Sequence, residues 1–316
     1  MIELIASAGI WQDFPSTALR LSIPILFAAI GGMYSERCGV YNIGLEGMIL
    51  LGAFGSALGT FYTGQPIIGL LFGFASGLIG GLLLGLLTVK LKVDQFVGGI
   101  AVNILCIGMT AFLARVVFAG KSNTTVLNGF ETFSIWPLSD LPLVGKVLFE
   151  QGPLVYLAFV LVLFSWILHS RTKWGLYILA VGNDPRAADA SGIAVDRLRL
   201  VSIVFGSGIA SLGGCYLVLS QVFVFTEHMS AGKGFVALAA IILGRWKPHF
   251  ILLACIFFGF CDALQLRMQF QNPNVPYQAF VALPYVASIL AIVILSGKSK
   301  GGPESIGKAF TRGEAK

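Results

Sequence analysis

The sequence predicts an all-α, polytopic transmembrane bundle of about nine spans, and three features of its composition point there. Of 316 residues, 56% are hydrophobic and only 11% charged, whereas an ordinary soluble domain carries about a quarter charged residues. A water-soluble fold of this size could not cover so much apolar surface. Glycine is abundant, at 39 residues. That suits close helix approach in lipid better than aqueous helices, where each interior glycine costs about 1 kcal/mol. The net charge of +6 is spread as punctuation between apolar runs and forms no single basic face, which argues for a membrane and against nucleic acid.

A helix needs about 20 apolar residues to cross the hydrocarbon core. Candidate spans run over 15–34, 46–63, 66–89, 95–118, 150–169, 198–219, 233–246, 248–268 and 276–296. Met1 to Phe14 contain no Lys or Arg and Arg20 interrupts the first run, so that run is expected to stay as a span and not act as a cleaved signal. The second span is crowded with glycine and the seventh is short, so both are expected to be partial or broken helices. Lys121 to Gly152, with Trp136, Pro137 and Pro142, reads as an external loop holding a short interfacial helix. Ser170 to Leu200 is charged and connects spans five and six. Residues 1–296 thus form one membrane domain and 297–316 a cytoplasmic tail.

Lys and Arg are retained on the cytoplasmic side. With Ser170 to Leu200 placed inside, the alternation puts 15 of the 21 basic residues on that face and leaves Arg20, Arg115, Lys121, Lys146, Lys233 and Arg267 outside. The N-terminus is then outside and the C-terminus inside. Spans one to four and six to nine run in opposite senses, which permits an inverted repeat. A weak internal echo accompanies it: Gly44-Leu-Glu-Gly47 opens one apolar glycine-ended run and Gly232-Lys-Gly234 opens another. Composition alone could also produce that echo.

Two segments carry the candidate function. In the first, Asn42 and Glu46 lie four apart beside the start of an apolar run, a costly place for polar groups unless they face water, a partner or a substrate. They either line a pathway or brace a helix break, or Glu46 simply caps the second span. Asn103, within span four, is a third amide of this kind, with a structural interhelical hydrogen bond as the plainer account. In the second segment, Asp184 can cap a helix, Pro185 suits its first position, Ala187, Ala188 and Ala190 propagate it, and Gly192 can end it. Two turns are unstable alone in water, so this helix must lie against something: a groove on a cytosolic partner, or the membrane surface as an ordinary connector. Asp94 and Gln95 most simply cap span four. Glu227 and His228 stand at the outer side, where they either meet arriving solute or are solvated.

The five cysteines show no CxxC spacing and read as small packed hydrophobes. His169, His228 and His249 are far apart, and no catalytic, metal-binding or nucleotide-binding motif is present. Neither metal nor cofactor is expected, and an ATP-driven process would need its motor on another chain.

The stretches Ser35-Glu-Arg-Cys-Gly-Val-Tyr-Asn-Ile-Gly-Leu-Glu-Gly-Met48, Val93 to Asn103, Gly182 to Ile193, Ala231 to Ala239, Gly244 to Trp246 and Phe258 to Asp262 resemble the membrane subunits of ABC importers. The family includes ribose, branched-chain amino acid and nucleoside permeases, and the Asn-x-Gly-x-Glu-Gly pattern resembles its nucleoside-type branch. The resemblance implies that Asp184, Arg186, Ala187, Ala188, Asp189, Gly192 and Ile193 form a coupling helix docking into an ATPase subunit. It also implies a second permease subunit, expected to be a different chain, and an extracytoplasmic solute-binding protein, all at a bacterial-type inner membrane. Arg186 departs from the general importer loop, which has Glu there, and that bears on which salt bridges the dock uses. Cys38 and Tyr41 replace smaller aliphatic residues beside the pathway and bear on solute choice. The alternatives are a sugar or branched-chain amino acid permease and, from another class, an ion-coupled secondary transporter. A membrane-embedded enzyme lacks a catalytic cluster to support it.

Overall fold

The computed structural model describes residues 8–118, 126–134, 144–271 and 302–311, with positions 278, 282, 285, 286, 289, 290 and 293 between the last two segments. The helices are α1 (Ala8–Arg37), α2 (Leu45–Thr63), α3 (Pro66–Gly85), α4 (Gln95–Val117), α5 (Val144–Leu148), α6 (Pro153–Arg171), α7 (Lys173–Asn183), α8 (Pro185–Ala190), α9 (Val195–Tyr216), α10 (Lys233–Leu243) and α11 (Pro248–Gln271). Single π-turns extend α3 through Leu86–Lys90 and α9 through Leu217–Val222. The short strands β1 (Phe133–Ser134) and β2 (Glu150–Gln151) pair antiparallel.

Seven helices among the described residues are long and apolar enough to cross a membrane: α1, α2, α3, α4, α6, α9 and α11, with their extensions. Together they define a multi-pass membrane protein. The seventh predicted span is α10, whose 11 residues are too few to cross. The ninth, 276–296, lies largely outside the described residues, as do Trp136, Pro137 and Pro142 of the predicted loop.

Burial sorts the seven into two classes. Buried residues make up 89%, 78% and 83% of the apolar windows of α1, α2 and α9, against 28–33% in α3, α4, α6 and α11. Three helices therefore form the centre and four turn one face outward, presenting residues such as Ile104, Phe112, Leu163 and Leu253 to their surroundings. The sequence permits the central packing because α2 and α9 meet through glycine. A Cβ on Gly52 would overlap the Ser211 carbonyl, so the two backbones touch where side chains would hold them apart. All five cysteines are buried and unpaired.

Helix starts follow ordinary chemistry. Proline stands at the first turn of α3, α6 and α8, where its missing N–H costs nothing. Asp94 caps α4 by accepting from Phe96 and Val97 N–H at 2.9 and 3.1 Å. Helix α7 is an additional helix in Ser170 to Leu200, where the sequence predicts only the one around Ala187. Its Ile178 and Val181 face inward while Trp174, Leu176 and Tyr177 are exposed, the make-up of a helix lying along a membrane–water interface.

Candidate functional site

Helix α2 begins inside the bundle. Helix α1 ends at Arg37, and residues 38–44 run without helix before α2 starts at Leu45. The first N–H groups of a helix have no partner of their own, and here no local side chain caps them. Asn103 of α4 meets that need: its Oδ1 accepts from Gly47 N–H at 2.8 Å and its Nδ2 donates to the Ile43 carbonyl at 2.7 Å. Asn103 lies nine residues beyond Asp94, about 13 Å along α4 at 1.5 Å per residue. The break in the chain is therefore set inward from the capped start of α4.

Helix α10 begins at the same depth and is held by the other half of the junction. Glu46, in the first turn of α2, does not cap its own helix. Its Oε1 accepts from Ser230 Oγ at 2.6 Å and from Gly232 N–H at 2.8 Å, while Oε2 accepts from Gly234 N–H at 2.7 Å. One carboxylate thus serves the positive ends of two helix dipoles. A Cβ on Gly234 would overlap the Glu46 backbone, so the contact requires glycine there. Both corners of α10 are left-handed at non-glycine residues: Ala231 at φ 47° before it, and Arg245 and Trp246 at 50° and 55° after it. Beyond the second corner Trp246 Nε1 donates to Glu36 Oε2 at 2.7 Å, fixing α10 to the end of α1.

The structure therefore brings Asn42, Glu46 and Asn103 to one junction, with different occupations. Asn103 is committed to backbone, and Glu46 to backbone and the Ser230 hydroxyl. Asn42 is fully buried; its Nδ2 lies 3.4 Å from Ser207 Oγ, and its Oδ1 has no hydrogen-bond partner among the described residues. Glu36 Oε1, at the same end of α1 as Trp246, is likewise buried without a partner. Neither Glu36 nor Ser230 was singled out in the sequence, because each acts through a residue far along the chain.

Helix α8 is a different construction, complete in itself. Asp184 accepts from Arg186 and Ala187 N–H at 3.0 and 3.1 Å. At the other end Gly192, at φ 85°, donates to the Asp189 carbonyl and Ile193 to the Ala188 carbonyl, the paired bonds of a glycine-terminated helix. Arg186, Ala187 and Ala190 are exposed, while Asp189 and Ile193 are half-buried. Ala188 is buried, so it seats α8 on the bundle and leaves the outward face to its neighbours. Toward the opposite end of the spans Arg115 makes two bonds to Glu227, at 2.9 and 3.1 Å, tying α4 to the loop that leads into α10. Cys38, beyond the end of α1, is buried, which pushes its thiol up to about 11 and keeps it neutral.

A multi-pass bundle in which a long helix and a shorter one start inside the packing, joined by one buried carboxylate, suits a membrane transport component. Over residues 14–299 the sequence matches the family described as branched-chain amino acid transport system / permease component, and the chain belongs to that family. Among curated relatives it is 33% identical over 312 residues to the guanosine ABC transporter permease protein NupQ of Bacillus subtilis, covering 95% of this chain and 96% of the relative. It is 32% identical over 299 residues to the nucleoside ABC transporter permease protein NupC of Lactococcus lactis, covering 91% and 93%. It is 35% identical over 289 residues to the putative glucose ABC transporter permease protein TsgC13 of Haloferax volcanii, covering 89% and 86%. The two bacteria also supply a more distant permease each, guanosine NupP at 23% identity and nucleoside NupB at 25%. No solved structure matches.

Proposed function

We propose that this chain is a pathway-forming permease subunit of an ATP-driven importer for nucleosides, a transport subunit and not an enzyme. The observation that carries the reading is the end-to-end similarity to the guanosine and nucleoside permeases. ATP hydrolysis belongs to a separate ATPase chain. An extracytoplasmic binding protein delivers solute, and a second, different permease completes the path, a pairing supported by the NupQ with NupP and NupC with NupB names. The membrane is a bacterial-type inner membrane, with the N-terminus outside and the C-terminus in the cytosol.

The proposed architecture is nine spans within residues 1–296, followed by a tail at 297–316. Its two halves are related by inversion, an arrangement supported by the meeting of the Gly44 to Gly47 and Gly232 to Gly234 segments through Glu46. In this reading Glu46 and Asn103 hold the break open at mid-depth, and the uncommitted Asn42 Oδ1 is offered to a polar solute. Residues 184–193 are the coupling helix. It presents Arg186, Ala187 and Ala190 to the ATPase, which shifts the pathway only insofar as it binds this helix differently in the two states.

Uptake of labelled guanosine, adenosine and glucose into vesicles holding the assembled transporter tests the reading. Uptake that needs ATP and favours the nucleosides is expected. Uptake following a proton gradient without ATP would reject the importer. Preference for glucose would favour the second reading, a sugar permease, which the 35% identity to TsgC13 keeps in view. A fluorescent protein fused to the C-terminus should be bright in cells; a dark but inserted fusion would reverse the topology.

A further inference from the structure

Residues 302–311 fold back across the end of the bundle that carries α8, and their contacts are specific. Ser305 closes the C-terminus of α7. Its N–H donates to the Gly182 carbonyl at 3.0 Å, and its hydroxyl lies 2.6 Å from that oxygen and 3.2 Å from the Val181 carbonyl. These are last-turn carbonyls that the helix itself cannot satisfy. Two residues later the chain enters α8 at Asp184, so the segment grips the root of the projecting helix. Gly302 packs on the Trp246 ring and Gly307 faces Tyr41. Phe310 joins the apolar core, and Thr311 Oγ1 accepts from Lys92 Nζ at 3.1 Å.

Arg199 joins this segment to the centre. It is 2% exposed, in the first turns of α9, an unusual place for a guanidinium. Its Nε donates to the Cys38 carbonyl at 3.2 Å, and its two terminal nitrogens donate to the Lys308 carbonyl at 3.1 Å and to Ser305 Oγ at 3.2 Å. One planar side chain thus holds the tail, α9 and the residue just after α1. Cys38 is four residues before Asn42 and opens the non-helical run that ends at the Glu46 junction. A chain of polar contacts therefore leads from the root of α8 through Ser305 and Arg199 to the Cys38 carbonyl, and from there the backbone runs on to the broken-helix junction. Beside it, the start of α8 and the tail enclose a groove of about 550 Å³ between Asp184, Arg186, Glu304 and Lys308.

We propose that residues 302–311 are a positioning strap: Ser305 and Arg199 carry displacement of α8 to the α1–α2 break. The inference rests on the reading of α8 as the coupling helix. It assigns these two residues a role in transmission, apart from any contact with solute or ATPase. A fixed guanidinium with three acceptors suits this, because it resists shear between the segments it joins.

The test uses the assembled transporter in vesicles with its partner ATPase. An Asn42→Cys reporter is introduced, and its rate of modification by a small maleimide is measured with and without ATP. In the reporter background ATP should change that rate. Ser305→Ala and Arg199→Gln should each shrink the ATP effect about fivefold or more, the lower range of ordinary coupling between sites, while the ATPase continues to hydrolyse ATP. The double variant should be no worse than the more affected single one, since both cut one link. An unchanged ATP effect in both variants would overturn the strap, as would loss of hydrolysis in parallel with it. Should Arg199→Gln fail to accumulate, Ser305→Ala decides alone. Ala187→Trp is run alongside. If it too leaves the ATP effect unchanged, the coupling-helix reading falls; if it abolishes the effect and Ser305→Ala does not, only the strap falls.

Discussion

Helix α2 and helix α8 both begin with backbone N–H groups in need of acceptors, and they meet that need in opposite ways. Helix α8 is served by Asp184, two and three residues from the amides it accepts. Helix α2 has no such cap; it borrows Asn103 from α4 and lends its own Glu46 to α10. The first arrangement can move as a unit, because everything that makes it a helix travels with it. The second exists only while three helices stay together. A helix that carries its own caps and a helix start that depends on its neighbours are thereby built on different principles.

The largest expected effect comes from breaking the shared construction. Glu46→Ala leaves a hydroxyl and two backbone donors unmatched in the interior. It should destabilise the protein by about 3 kcal/mol or more, since bonds to charged groups are worth about 1.5–3 kcal/mol each. Glu46→Gln, which keeps one acceptor, should lose less, and thermal unfolding in detergent reads the difference. Equal losses for the two would show that the charge, and not the bonds, joins α2 to α10. Asn103→Ala should follow at about 2 kcal/mol, for one unpaired amide and one unpaired carbonyl.

The corresponding change at α8 should be smaller and confined. Asp184→Ala removes a helix cap worth about 1 kcal/mol. It should speed hydrogen exchange at Ala187 to Ala190 while leaving the melting temperature in place, and Asp184→Ser should largely restore protection. A global loss of stability would mean that α8 is not the separable unit its caps describe. The smallest effect belongs to the surface pair of Arg115 and Glu227. Hydrogen bonding to Arg115 holds the Glu227 carboxyl below its ordinary value of 4.5. The pair's contribution is therefore present above that value and is lost as pH falls through the depressed one. Proteolysis of the loop before α10 should rise in that acid window in the native chain, and Glu227→Gln should abolish the pH dependence.

The same contrast explains what could be read in the sequence. Asp94, Asp184, Pro185 and Gly192 act on backbone within a few residues, so their types and spacing announce their work. Seven of the expected spans recur as long apolar helices, because length and hydropathy are local too. Glu36 and Trp246 are 210 residues apart and Arg199 and Ser305 are 106, and nothing in one chain's order of residues pairs them. Glu46 and Gly234, 188 apart, are hinted at only by the glycine echo of their two segments, which does not name the atoms that meet. Asn42, Glu46 and Asn103 could be recognised as costly polar groups, but which of them was spoken for by backbone required the packing. Helix α7 is hard to see in the sequence because Lys173 and Asn183 bracket it with the look of a loop, although Trp174 and Tyr177 against Ile178 and Val181 give the two-sided pattern.

The burial of all five native cysteines has a practical consequence for anyone who wants to watch this permease work. Reagents that need an accessible sulfur should find little to react with in the folded chain, so one added cysteine can report on its own surroundings without the native ones first being replaced. The protein thus arrives as a quiet background for site-directed spectroscopy, with its packing intact.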